Sequence, residues 1–158
     1  MDQSYLYLKS LHVLGVIMFL GNLIVSGWWK LMADRTRNPR IIAFAQRQTS
    51  LADRLFAGGG LLLILIGGPG NVMQHHMDFL HIFWLQWGFW LLVILGIIWG
   101  AILIPLQIAQ NRMAQQFADD GQIPARYWKL ERLWVAFSLL ATLLVLLSIY
   151  WMVFKPAY

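Results

Sequence analysis

The chain has 158 residues, 59% hydrophobic, 15% aromatic and only 12% charged, with a formal net charge of +5 and no cysteine. About a quarter of a soluble domain's residues are charged, so this composition excludes an ordinary soluble fold and defines a polytopic membrane protein. The lack of cysteine excludes disulfides, thiolate metal sites, iron–sulfur clusters and cysteine nucleophiles, which leaves His, Met or oxygen ligands for any metal.

The first element is the run from Tyr5 to Trp29. Between Lys9 and Lys30 lie 20 residues without a formal charge, and at 1.5 Å per residue they make about 30 Å of helix, the thickness of a bilayer's hydrocarbon core. The run is too long for a cleavable signal peptide, its leading segment holds Asp2, and no A-x-A-like site follows. At 100° per residue, Tyr5, Lys9, His12, Gly15, Asn22 and Ser26 share one sector of the helix, with Leu, Ile and Val dominating the rest. One face therefore looks at protein or a cofactor and the other at lipid.

The segment from Lys30 to Gln48 is basic and polar, and Asn38-Pro39 starts a short helix with an apolar side on Ile41, Ile42 and Ala45. This helix is expected at the inner membrane surface, running into span two. The second span occupies the 23 uncharged residues between Arg54 and Asp78. Gly58, Gly59 and Gly60 permit close approach of another helix, and Gly67 to Gly70 with Pro69 are expected to end it.

Span three lies among 33 uncharged residues between Asp78 and Arg112, more than a bilayer needs. Trp84, Trp87 and Trp90 form an aromatic belt, Gly96 and Gly100 make a G-x-x-x-G packing pair with Gly88 on the same face, and Pro105 is expected to kink the inner end. Span four covers the 22 uncharged residues between Arg132 and Lys155. The fold class is all-α: one membrane domain of four transmembrane helices, near residues 8–30, 52–72, 79–109 and 132–154, with a short interfacial helix after the first.

Ten of the twelve Lys and Arg residues fall in two stretches, Lys30 to Arg54 and Arg112 to Arg132, each between hydrophobic spans. The positive-inside rule makes these the cytoplasmic loops, meeting acidic lipid headgroups rather than nucleic acid. Both termini are then periplasmic, in a bacterial inner membrane. At the inner surface, Asp53, Arg54, Glu131 and Arg132 read as an interfacial ion-pair network.

An ionisable side chain within a span costs on the order of a few kcal/mol unless partnered, so His12 needs an explanation. It is either an imidazole bonded to a neighbouring helix or an axial ligand, with Gly15 leaving clearance for a flat macrocycle. His81 lies three residues from Asp78 as His12 does from Lys9, so their depths match. That pattern suits haem b held by His12 with His81 as second ligand or pocket residue, Lys9 pairing a propionate, and Gly15 and Asn22 lining the site. The loop residues Met73, His75, His76 and Met77 read as a solvated outer loop, with copper(I) binding as the alternative. No P-loop, nucleophile elbow, paired catalytic carboxylates or zincin motif is present.

The motifs LKSLHVLGVIMFLGN at Leu8 to Asn22, SLADRLF at Ser50 to Phe56, IPLQIAQNRMA at Ile104 to Ala114, IPARYWKLERLW at Ile123 to Trp134 and IYWMVFKP at Ile149 to Pro156 carry a resemblance. Over nearly its full length the chain resembles a bacterial family of four-helix integral membrane proteins without assigned function. More distantly, through Lys9-x-x-His12, Leu80-His81 and Lys155-Pro156, it resembles the HemJ type of protoporphyrinogen oxidase. That resemblance implies haem b and makes His12 a ligand candidate. The chain carries Phe83 where that type has a lysine, and Glu131-Arg132-Leu133 where it has Asn-Glu-x-Pro.

Two classes of function follow. One is a haem-linked membrane oxidoreductase with a quinone or porphyrin-type partner. The other is a non-enzymatic membrane subunit or a binder of lipid or another small molecule, with a second copy of the chain as a further partner.

Overall fold

The computed structural model describes residues 3–155; Asp2 of the leading segment and Pro156 of the terminal Lys-Pro pair lie outside them. Four helices account for nearly all of this: α1 (Gln3–Arg35), α2 (Pro39–Gln74), α3 (Phe83–Asp120) and α4 (Ala125–Phe154). Each is long and apolar enough to cross a membrane, and there is no strand among the described residues.

Local chemistry sets the helix ends. Asn38 caps α2 by accepting the backbone N–H groups of Arg40 at 3.0 Å and Ile41 at 3.4 Å, and Pro39, which has no N–H to orphan, fills the first turn. Gly121 ends α3 at φ 76, a left-handed conformation, and donates its N–H to the Phe117 carbonyl at 2.9 Å. The helix from Pro39 forms and runs without a break into the second span, as expected, with Ile42, Gln46, Thr49 and Ser50 buried. Gly67 to Gly70 do not end that span: α2 runs through Pro69 to Gln74.

Two helices widen by one residue per turn. α2 does so at Asp53–Ala57 and α3 at Ile98–Leu103. Such widened turns re-aim side chains and are frequent at functional positions. The second lies just ahead of Pro105, whose ring cannot donate an N–H to the preceding turn; the helix absorbs that loss by widening. The first turns Asp53 into the bundle.

α1 and the second half of α2 pack backbone to backbone. A Cβ on Gly15 would lie 2.6 Å from the Gly60 carbonyl oxygen and 2.8 Å from the Ile64 nitrogen, and one on Gly67 would lie 2.6 Å from the His12 nitrogen. Such proximity is the small-residue packing that stands in for hydrophobic driving force within lipid. The G-x-x-x-G pair behaves differently. Gly96 and Gly100 face nothing within 4 Å, while Gly88 of the same helix meets Met152.

Two cores result. Phe19, Ile64, Leu95, Ile98, Trp134, Ala141 and Val145, from all four helices, form the one inside the spans. Ile42, Ala114, Phe117 and Tyr127 form a smaller one at the basic end. At 36 and 38 residues, α2 and α3 are roughly 54 and 57 Å long, well beyond the ~30 Å of hydrocarbon. The second core is what their extra length builds. Toward the histidine end the bundle opens, because neither α1 nor Gly58–Gln74 brings its backbone within 8 Å of Phe83–Ile97.

Candidate functional site

Between the two cores lies a layer of buried polar side chains. α1 carries Asn22, Ser26, Lys30 and Asp34 at intervals of four, which stacks them along one stripe, and all four are buried. α2 brings Asp53 to that stripe from its widened turn, α3 brings Gln107 and Gln110, and α4 brings Tyr127 and Glu131.

The deeper half is centred on Asp53. Asn22 donates its side-chain N–H to one carboxylate oxygen and Gln107 donates to the other, while Ser26 donates to the Asn22 carbonyl oxygen at 3.1 Å. One amide donor on each oxygen holds the carboxylate in place without a cation.

The shallower half is centred on Lys30, 1% exposed. Its ammonium lies 2.5 Å from Glu131 and 3.6 Å from Asp34, donates to the Tyr127 hydroxyl at 3.0 Å, and stands 5.2 and 5.4 Å from the ring centres of Tyr127 and Trp134. Tyr127 in turn donates to Asp34 at 3.4 Å, and Gln110 donates to Glu131 at 2.6 Å. Removing an ammonium from water costs several kcal/mol, which only partners of this number and geometry offset. The whole layer buries three carboxylates, Asp34, Asp53 and Glu131, and one ammonium.

The expected Asp53–Arg54–Glu131–Arg132 ion-pair network is therefore rearranged. The acids turn inward to α1 and α3, and Arg54 and Arg132 remain exposed. Helical spacing explains this, because neighbours in sequence stand 100° apart and cannot both face the bundle.

Beside the layer, a groove of about 720 Å³ runs between α1, from Ile17 to Thr36, and α2, from Ile41 to Phe56. Its wall is mostly apolar, with Asn22, Ser26, Thr36, Gln48 and Thr49 as polar points and no charged residue. Ser26 also lines a second, much smaller cavity of about 10 Å³ next to Asp53.

Of the residues expected to line a cofactor site, Asn22 belongs to this layer. His12 faces α2, its Nδ1 3.2 Å from the Ile64 carbonyl oxygen. A carbonyl only accepts, so Nδ1 carries a proton, which in the neutral ring leaves the lone pair on Nε2. Gly15 offers no clearance, because the Gly60 backbone fills that space. Lys9 is exposed, with its ammonium 5.5 Å from the Tyr5 ring centre. His81 stands exposed in the connection before α3, its Nδ1 2.7 Å from Asp78. That hydrogen bond holds the Asp78 carboxyl below the usual carboxylate range.

A haem b ligated by both imidazoles does not fit this arrangement. α1 does not approach the first half of α3, which His81 precedes, and the space at Gly15 is taken. In the Met73–Met77 segment, His75 places Nδ1 3.2 Å from the Asn71 carbonyl and its ring edge-on to Tyr5. No group of three or more His, Asp or Glu side chains among the described residues is arranged to hold a metal.

Lys30, Asp34, Gln107, Gln110 and Tyr127 were not singled out. Their signal was available: the four-residue spacing of Asn22 and Ser26 continues through Lys30 and Asp34. Treating Lys30 as the boundary of the span cut the stripe in half.

Fold and site together define a multi-pass membrane protein built around a buried polar layer. The family described as "Predicted integral membrane protein (DUF2269)" matches residues 6–156, and the chain belongs to it. No curated protein and no solved structure matches the chain.

Proposed function

We propose that this protein is a non-enzymatic binder of an elongated amphiphile, taken laterally from the bilayer into the groove between α1 and α2. The observation that carries this reading is the groove, an apolar channel of about 720 Å³ with hydrogen-bonding groups from Asn22, Ser26 and Thr49 at membrane depth. Ligand sites are typically concave and mainly apolar, with a few placed polar groups, and span roughly 300–1,000 Å³. Because no charged residue lines the wall, the head of the ligand is uncharged and hydrogen-bonding. A quinone-type ring on an isoprenoid tail belongs to that class. A porphyrin, with its carboxylates, finds no cation in the groove.

The basic loops orient the molecule with its polar layer toward the cytoplasmic face of a bacterial inner membrane and both termini outside. The test is native mass spectrometry of the protein released from nanodiscs made with cell lipids, beside Ala45→Phe, which fills the groove. A retained neutral amphiphile, lost at least tenfold in the variant, supports the reading; equal retention by both proteins sinks it.

One observation favours a second reading. A backbone carbonyl on Nδ1 with Nε2 bearing the lone pair is how ligating imidazoles are commonly oriented, so His12 would serve as a single haem ligand without His81. Haem would supply redox chemistry there, and His12 would hold it. A Soret band in protein from haem-replete cells, lost in His12→Ala, supports this reading; a colourless wild type removes it.

A further inference from the structure

The cavity next to Asp53 has a specific chemistry. Its volume is about 10 Å³, bounded by Ser26, Asp53, Trp134 and Ser138 together with apolar Leu23, Trp99 and Leu103. Trp134 is 5% exposed. Its indole nitrogen and the Ser138 hydroxyl are both buried and find no hydrogen-bond partner among the described residues. Across the same space stands the Asp53 carboxylate, an acceptor with one amide on each oxygen and lone pairs to spare.

We propose that one internal water molecule occupies this cavity and completes the surroundings of Asp53. It accepts the Trp134 N–H, donates to the Asp53 carboxylate, and exchanges a hydrogen bond with Ser138. The space matches a single water, for which about one probe sphere, roughly 10–15 Å³, is enough, and three polar partners are the usual number. A metal cation fits worse, because Trp134 offers a donor and no acceptor. An empty cavity would strand two buried polar groups beside a charged one.

The water extends the polar layer into α4. It links Asp53 to the indole whose ring, 5.4 Å away, faces the Lys30 ammonium, so the two halves of the layer share one side chain. It also gives Asp53 a mobile proton partner at membrane depth. Ser26 lines both this cavity and the groove. This assignment does not depend on what the groove binds.

The experiment is solution NMR of the full chain in nanodiscs with 15N-labelled tryptophan. The nine indole N–H groups are resolved, and Trp134→Phe assigns its own. The expected result is a cross-peak between the Trp134 indole proton and the water frequency, with the sign of a long-lived bound molecule, and it persists in Ser138→Ala. Loss of that cross-peak in Ser138→Ala would show that the serine hydroxyl itself was the partner and would overturn the proposal. A Trp134 proton in the wild type that meets only lipid or protein protons would overturn it as well. The other eight indole signals report whether the variant is folded.

Discussion

Lys30 of α1 and Glu131 of α4 meet 2.5 Å apart, with only 1% and 9% of their side-chain surfaces exposed. They are about a hundred residues apart in sequence and join the first helix to the last at the level where the two cores meet. Removing Lys30 leaves two buried carboxylates, Glu131 and Asp34, without a cation, while removing Glu131 leaves the ammonium with Asp34 at 3.6 Å and the Tyr127 hydroxyl. Lys30→Met is therefore expected to destabilise the protein by about 3–5 kcal/mol and Glu131→Leu by less, with the double variant well short of their sum. Denaturant titration in mild detergent checks this, and additive losses would show that the pair is not coupled.

Asp53 predicts a different pattern, because its partners are neutral amides rather than a cation. Asp53→Asn retains a carbonyl oxygen for one amide donor and, after a flip of Asn22 or Gln107, a donor for the other. Asp53→Leu orphans both amides. Each buried unsatisfied donor costs about 1–3 kcal/mol, so the leucine variant is expected to lose roughly 2–6 kcal/mol and the asparagine variant clearly less. Equal losses in the two would mean that the amides are not held by this carboxylate.

The glycines separate by what they face. A methyl group on Gly60 would lie 2.7 Å from the Gly15 carbonyl oxygen and 2.9 Å from the Phe19 nitrogen, all backbone that cannot swing aside. Gly60→Ala is expected to cost about 1–3 kcal/mol by forcing α1 from α2. Gly96→Ala meets open space and is expected to be neutral or to stabilise by up to about 1 kcal/mol through helix propensity. Thermal unfolding of the two variants at equal detergent concentration distinguishes them.

The four spans were legible because hydrophobic runs of 20 to 33 uncharged residues have few other meanings. The stripe on α1 was legible from its 100° spacing, and the structure buries its lower part as Asn22 and Ser26. What did not show in the sequence was depth. Lys30, Glu131 and Asp53 look like span ends, because a charged residue normally marks the membrane surface. Here α2 and α3 continue beyond the hydrocarbon and build a second core over those charges, so the charges are inside. The widened turn at Asp53 also has no sequence signature of its own, yet it decides which way that carboxylate points. His12 and His81 share a spacing from their nearest charge, but only His12 stands on a helix; His81 lies in the connection before α3, and the two rings take different partners.

Asp78 and His81, in the connection between α2 and α3, give the prediction that depends on pH. The imidazole Nδ1 stands 2.7 Å from the Asp78 carboxylate, and this bond, ahead of the backbone N–H groups of Leu80 and His81, holds the Asp78 carboxyl below its usual range. A depressed carboxyl binds its proton less readily folded than unfolded. Its contribution is therefore fully present above the ordinary carboxylate pKa, near 4, and is lost as pH falls through the lower folded value. The pair is exposed, so the effect belongs to the connection rather than to the bundle. NMR titration of 13C-labelled aspartate in nanodiscs is expected to give Asp78 a midpoint below that of an unperturbed carboxyl, and His81→Ala is expected to return it upward. A midpoint at the ordinary value in the wild type, unmoved by the substitution, would mean that the imidazole does not hold this carboxylate in solution.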